Sequence, residues 1–220
     1  MLRFIKAIIY IILDYLRYKK NLVKKKKKEI DKSLFYNLKK NLNKNLFTSK
    51  KNVKKHKGNL LIACFIHQLG YIYTDCLIAN YLTKIKDLKL LGLMDDNDIT
   101  TKEFLNCFNC TNNIIFTRLK ILKKIKYLIR SHKIIKQFKN VEKFSKLKIN
   151  GIDIGGCVYD QYIRLSEHPT ADNLNFKFLI FLAEALYIND FSSKLFKKLK
   201  IDYMIMSERQ FFPSSIIYRN

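Results

Sequence analysis

Tryptophan is absent from this chain, and turn-formers are scarce: six glycines and two prolines in 220 residues. So few of them exclude a fold of many short strands joined by tight turns, such as a β-sandwich. Acids are also few, 18 against 43 lysines and arginines, which leaves a net charge of +25 at neutral pH. The familiar chemical fingerprints are missing too. No GxGxxG follows an apolar strand, and no Gly-Lys-Ser or Gly-Lys-Thr marks a phosphate-binding loop. GxSxG, HExxH and HxE with a following CxxC are likewise not found. Common dinucleotide, hydrolase and zinc-deaminase patterns are thereby set aside.

What is present suffices for a folded domain. Hydrophobic residues make up 48% of the chain, enough for a core in one domain with an appendage. The charge is unevenly placed. Residues 1–58 hold 19 lysines and arginines against Asp14, Glu29 and Asp31, an excess of 16; the remaining 162 residues carry the other nine. Such an arm attracts polyanions: anionic lipid headgroups, RNA or an acidic glycan. A plainer source competes with this reading, because joint enrichment in Lys, Asn and Ile is what AT-rich coding produces. The five cysteines, an odd number, fit reduced thiols in a cytoplasmic setting. Cys107-Phe-Asn-Cys110 has half the spacing of a zinc site, but no second CxxC completes it, so no metal or cofactor is expected.

The amino-terminal stretch MLRFIKAIIYIILDYLRYKK has one apolar run, Ala7 to Leu13, bounded by Lys6 and Asp14. Seven residues do not cross a membrane, which takes about 20. The small-x-small cleavage pattern of a secretory signal is missing. Phe4, Ile5, Ile8, Ile12, Tyr15 and Leu16 recur at helical spacing, followed by Arg17, Lys19 and Lys20. Two readings stay open: an amphipathic helix on a membrane surface, or a helix packed against its own domain. Lys24 to Lys28 reads as a solvated linker.

After Gly58 the pattern changes. Leu60 to Ile66 is continuously apolar, as in a strand buried on both faces. A helix is predicted over Tyr71–Lys86, from Ile72, Cys76, Ala79, Leu82 and Ile85. Strands are predicted at Leu88–Met94, Asn113–Phe116 and Asp202–Ser207, and helices over Thr117–Lys148 and Asp172–Lys200. Thr100-Thr-Lys-Glu103 reads as a capping box, and Pro213–Tyr218 as the start of a helix. The expected fold class is therefore α/β: a Rossmann-like parallel sheet flanked by helices, in residues 59–220, behind a basic helical N-terminal arm or linker, 1–58. In such sheets ligands gather at the carboxyl ends of the strands. That rule points to His67-Gln-Leu-Gly70, to Asp95–Asp98 and to Ser207-Glu-Arg-Gln210.

One stretch breaks the lysine-rich habit: INGIDIGGCVYDQYIR, Ile149 to Arg164, with three of the six glycines. Glycines there allow positive φ and close backbone approach. If helical, Tyr159, Asp160, Tyr162 and Arg164 offer phenols, a carboxylate and a guanidinium, groups suited to a sugar or phosphate. Equally, Asp160 and Arg164 stand four apart and can simply pair with each other.

Gly151-Ile-Asp-Ile-Gly-Gly-Cys-Val-Tyr-Asp-Gln-Tyr-Ile-Arg164, with Pro169-Thr170 and a long apolar helix after it, resembles a segment of bacterial surface-carbohydrate and capsular-polysaccharide biosynthesis proteins. The likeness runs from about Asn59 onward and is sharpest at the YDxYxR core. It differs at Gly156, where that pattern carries an acid. The resemblance implies a glycosyltransferase built of two facing Rossmann-like domains, of which this chain supplies the amino-terminal, acceptor-side one. A glycan or lipid-linked acceptor is then the expected partner. A nucleotide sugar would be met only through a second domain, so transfer by this chain alone is not expected. The work would take place in the cytoplasm, at the inner membrane face. The rival reading is a non-enzymatic polyanion-binding module for RNA, DNA or anionic lipid, although no nucleic-acid motif accompanies the charge.

The substrate-binding candidates are His67, Tyr159, Asp160, Arg164, Glu208 and Arg209; no residue is assigned a catalytic role. Asp95, Asp96 and Asp98 read as a polar turn rather than a cation site. His56 and His132 read as solvated, and His168, before Pro169, as part of a turn.

Overall fold

Continuous apolar runs become the strands of a parallel sheet. The computed structural model describes residues 2–25, 36–37, 40, 56–65, 68–96, 98–108, 110, 112–117, 119–166 and 170–220. Strand β1 is Gly58–Cys64, β2 is Leu88–Asp95 and β3 is Asn112–Phe116. Between them lie helices Leu69–Lys86 and Ile99–Cys107. A last strand, Ile201–Ile205, returns to the far side of β1. The sheet order is therefore β3, β2, β1 and this last strand, with every pairing parallel. Leu60, Ile62 and Cys64 point into one apolar cluster with Ile72, Cys76 and Phe104. The alternate residues Leu61, Ala63, Leu91 and Leu93 are just as buried, which is why these strands lack a polar face. The α/β, Rossmann-like arrangement expected from the apolar runs is what the chain adopts.

The described residues divide into two compact units. The sheet unit comprises Lys26–Arg118 and Phe196–Glu208; the helical unit comprises Met1–Lys25, Leu119–Leu195 and Arg209–Asn220. In chain order, then, the path from β3 to the last strand runs through the bulk of the helical unit.

In that unit α1 is Leu2–Lys25. Numbering onward in chain order, α2 is Leu69–Lys86, α3 is Ile99–Cys107, α4 is Ile121–Ile135 and α5 is Val141–Ser145. The short strands β4, Lys148–Ile149, and β5, Ile152–Asp153, pair antiparallel. Helices α6, Ile154–Leu165, and α7, Phe176–Leu199, follow; β6 is Ile201–Ile205 and α8 is Ser214–Ile217. The core centres on Phe178, which stacks on Tyr162 at 4.3 Å and meets Phe144 edge-on at 5.5 Å.

Several local features differ from the sequence reading. Asp98, not Thr100, caps α3: its carboxylate accepts from the Thr101 N–H at 2.9 Å and from the Thr101 hydroxyl. The apolar stretch from Asp172 turns helical only at Phe176, where the Asn175 side chain accepts from the Lys177 N–H. Thr117–Lys148, by contrast, matches its reading as a helical stretch of two helices, α4 and α5, the second opened by Asn140 accepting from the Lys143 N–H. His132 is not solvated; it packs at 4.9 Å against the ring of Phe4, and its Nδ1 is buried.

The glycine stretch resolves into a hairpin and a helix start. Asn150 and Gly151 have φ of 53° and 83°, as a two-residue hairpin turn requires. Gly155 opens α6 against the α5–β4 connection. A Cβ there would lie 2.1 Å from the carbonyl oxygen of Phe144. Positive φ is thus needed only at the turn, and close backbone approach only at the helix start.

Candidate functional site

The sheet order places a switch in chain direction at β1. The chain adds β2 and β3 on one side of β1 and then returns to add β6 on the other. At such a point the connections leaving two neighbouring strands diverge and open a crevice at their carboxyl ends. The crevice is present. It encloses about 210 Å³, solvent space included, and is lined by Ala63, Cys64 and Phe65 after β1, Tyr71, Ile72 and Asp75 of α2, and Ser207 and Glu208 after β6. Most of that figure is open solvent, and the enclosed part holds about one water molecule, so the crevice is a shallow notch at the strand ends rather than a ligand-sized cavity.

Asp75 sits in the second turn of α2, on the face that carries Ile72, Cys76 and Ala79 into the core, and is only 6% exposed. Its two carboxylate oxygens accept from the Ser207 backbone N–H at 3.2 Å and from the Ser207 hydroxyl at 2.6 Å. Burial raises its carboxyl above the usual carboxylate range, while the bonds from Ser207 act in the opposite sense. Ser207 is exposed, so its hydroxyl oxygen faces the crevice with its proton committed to Asp75. Asp75 meets Ser207 directly, with no imidazole between them, so this pair orients and polarises a hydroxyl rather than forming a charge-relay nucleophile. Tyr71 adds a ring that is 52% exposed. The floor is apolar, and burial pushes the Cys64 thiol up, which makes it an inert wall.

Among the described residues, the crevice lining holds two carboxyl groups, Asp75 and Glu208, and no lysine or arginine. Such a lining disfavours phosphate and favours a neutral, hydroxyl-bearing ligand whose O–H groups donate to carboxylates and whose apolar face lies on a tyrosine. Among the described residues no grouping of three His, Cys, Asp or Glu side chains is arranged to hold a metal ion. Cys107 and Cys110 are both buried, and Cys110 donates its thiol proton to Asn113 Oδ1.

Of the six residues singled out from sequence, Glu208 lines the crevice. His67 falls outside the described residues. Tyr159, Asp160 and Arg164 lie on α6 of the helical unit, where Tyr159 is half-buried and the other two are exposed. The expected Asp160–Arg164 pair is not formed. Arg164 instead donates to Gln210 Oε1 at 2.9 Å and lies 4.5 Å over the ring of Phe211. Tyr162, offered by sequence as a ligand group, is core: it stacks on Phe178, and its hydroxyl accepts from Asn175. Arg209 lies 5.1 Å over the Tyr218 ring. Asp75 and Tyr71 were not among the candidates, and Ser207 was reached only as the first residue of the strand-end turn Ser207–Gln210. Asp75 had a signal, since an acid three residues after Ile72 and four before Ala79 occupies a core-facing helical position.

Comparison with protein-family models, with curated proteins and with solved structures returns no match for this chain.

Proposed function

We propose that this chain is the acceptor-side, Rossmann-like domain of a glycosyltransferase-like protein of surface-polysaccharide synthesis, working at the cytoplasmic face of a membrane. The observation that carries the reading is the crevice at the β1/β6 switch point, with Asp75, Ser207, Glu208 and Tyr71 around it. A buried carboxylate, a polarised hydroxyl, a second carboxylate and an open aromatic ring match a sugar in chemistry: hydroxyls to bond and an apolar face to cover. The carboxylates also explain why this side would take the acceptor rather than the donor. Like charge opposes the diphosphate of a nucleotide sugar but accepts a neutral hydroxyl, and a carboxylate within reach of that hydroxyl can draw off its proton as it attacks. Activated donor is then supplied through a second domain.

Saturation-transfer NMR on the full chain tests this, with a panel of soluble oligosaccharides and, separately, uridine diphosphate. The expected result is saturation of carbohydrate ring protons for at least one member, lost in Glu208→Ala and in Ser207→Val, and none for the nucleotide. No response from any carbohydrate, or a nucleotide response removed by the same two substitutions, overturns the reading.

A further inference from the structure

Helix α1 carries two apolar faces. The inner one is used: Ala7 and Ile11 are buried at 0% and 5% exposure, and Phe4 packs on His132 of α4. Asp14 pairs with Lys124 at 3.1 Å, and Arg3 donates to the Leu174 carbonyl, which ties α1 into the helical unit from Arg3 to Asp14. Because Phe4 meets His132 while Asp14 meets Lys124, α1 and α4 run antiparallel.

The outer face is the anomaly. At about 100° per residue, Ile9 points directly away from the Ala7–Ile11 seam, with Leu2, Ile5, Ile12, Leu13 and Leu16 within about 60° of it. All six are open to solvent, from 40% at Ile12 to 67% at Leu2. No acid interrupts them. Lys6 and Arg17, both exposed, border the stripe on one side. The neighbouring α4 repeats the theme on its exposed side, where Leu122 and Ile129 are open on the same face as Lys126 and Lys133. A helix already anchored by one face has no folding reason to keep a second, contiguous apolar face in water.

We infer that the outer face of α1 is a membrane-docking surface, seated in the plane of an anionic lipid headgroup layer. Charge selects this occupant. A second copy of the chain would bring another +25 against the same basic margin, whereas anionic headgroups neutralise it. Length selects the geometry. Leu2 to Leu16 spans only about 20 Å at 1.5 Å per residue. No helix among the described residues is long and apolar enough to cross a membrane. The helix therefore lies in the interface, its side chains reaching into the acyl boundary while Lys6 and Arg17 extend to phosphates. This inference needs no sugar chemistry, and it stands or falls apart from the reading of the crevice.

Vesicle co-sedimentation of the full chain provides the test, with pure phosphatidylcholine and with phosphatidylcholine containing about a third phosphatidylglycerol, since anionic lipid supplies the attraction. Binding is expected to the anionic vesicles, falling as salt rises. An Ile9→Ser, Leu16→Ser double variant is expected to lose about tenfold or more in partitioning, because two half-exposed aliphatic side chains no longer leave water. Its circular-dichroism melt should match the parent's, since both positions face outward. Lys6→Glu with Arg17→Glu is expected to lose the preference for anionic vesicles. Three results overturn the inference: no binding to anionic vesicles at low salt; binding in which the serine variant equals the parent; or a parent that sediments as a dimer without lipid and is made monomeric by the serine variant.

Discussion

Asp75 is buried in the second turn of α2, yet both its carboxylate oxygens reach across to Ser207, beyond the end of β6, at 3.2 and 2.6 Å. One side chain thus bridges two segments 132 residues apart in the chain and sets the mouth of the crevice. The arrangement is costly, because burial raises the carboxyl of Asp75. Groups held this way cluster where ligands are handled rather than where stability is needed.

Asp75→Asn is therefore expected to raise the melting temperature at pH 7. The amide keeps an acceptor for the Ser207 N–H and a donor for its hydroxyl, without the buried charge. The sign follows from linkage. A carboxyl with a raised folded pKa binds its proton more readily folded than unfolded, so its burden on stability is full above the raised value. That burden fades as pH falls to about 4, the unfolded aspartate range. The advantage of the asparagine variant should shrink accordingly between pH 7 and pH 4, as followed by differential scanning calorimetry. A variant less stable than the parent at pH 7 would show that the carboxylate is structural.

Gly155→Ala should be the most damaging single methyl in the chain's glycine stretch. Its Cβ would lie 2.1 Å from the Phe144 carbonyl oxygen and 2.7 Å from the Leu147 nitrogen, both backbone atoms that cannot swing aside. Overpacking of this kind costs about 1–3 kcal/mol, and the upper end applies here. At Gly151 nothing lies within 4 Å, so alanine there meets only the strain of φ +83°, about 1 kcal/mol. Urea denaturation of both variants gives the comparison; equal losses would contradict the packing of α6 on the α5–β4 connection.

Arg164→Ala and Asp160→Ala should differ. Arg164 holds Gln210 and covers Phe211 from an exposed position, so its loss is expected to cost about 0.5–1 kcal/mol. Arg164→Lys should recover little of this, because an ammonium neither stacks nor forks. Asp160 is exposed and makes no ion pair with Arg164, so its alanine variant should stay within about 0.5 kcal/mol of the parent. Equal and coupled losses in a double-mutant cycle would restore the direct pair.

The sheet was legible because its strands are buried on both faces. An unbroken run such as Leu60–Cys64 has few other fates when bounded by polar turns, and the rule that ligands sit at strand ends led to Ser207 and Glu208. The β4–β5 hairpin was less visible. Its strands are two residues each, too short for any alternation, although Asn150-Gly151 is the strongest two-residue turn signal there is. Asp75 was hidden by its surroundings: an acid amid Ile72, Cys76 and Ala79 reads as a helix position until one asks which way it points. The partner of Arg164 was not legible at all. Gln210 lies 46 residues on, and only tertiary placement brings it near, whereas Asp160 is merely four residues back. Helix α1 shows a related limit. Periodicity grouped Phe4 with Leu16 on one face, whereas in the structure Phe4 packs on His132 and Leu16 is open to solvent.

The detour of the chain between β3 and β6 has a bearing on biosynthesis. Asn59 donates its backbone N–H to Asp202 and its side-chain amide to the Leu199 carbonyl, contacts closed over 143 and 140 residues. Until the ribosome has released Ile201–Ile205, the first strand of the sheet keeps one flank bare of hydrogen-bond partners. Bare strand flanks recruit other chains, and pairings so distant in sequence form slowly. Nascent chains arrested before Ile201 should therefore depend on chaperones far more than the finished protein does, and release of a few further residues should end that dependence.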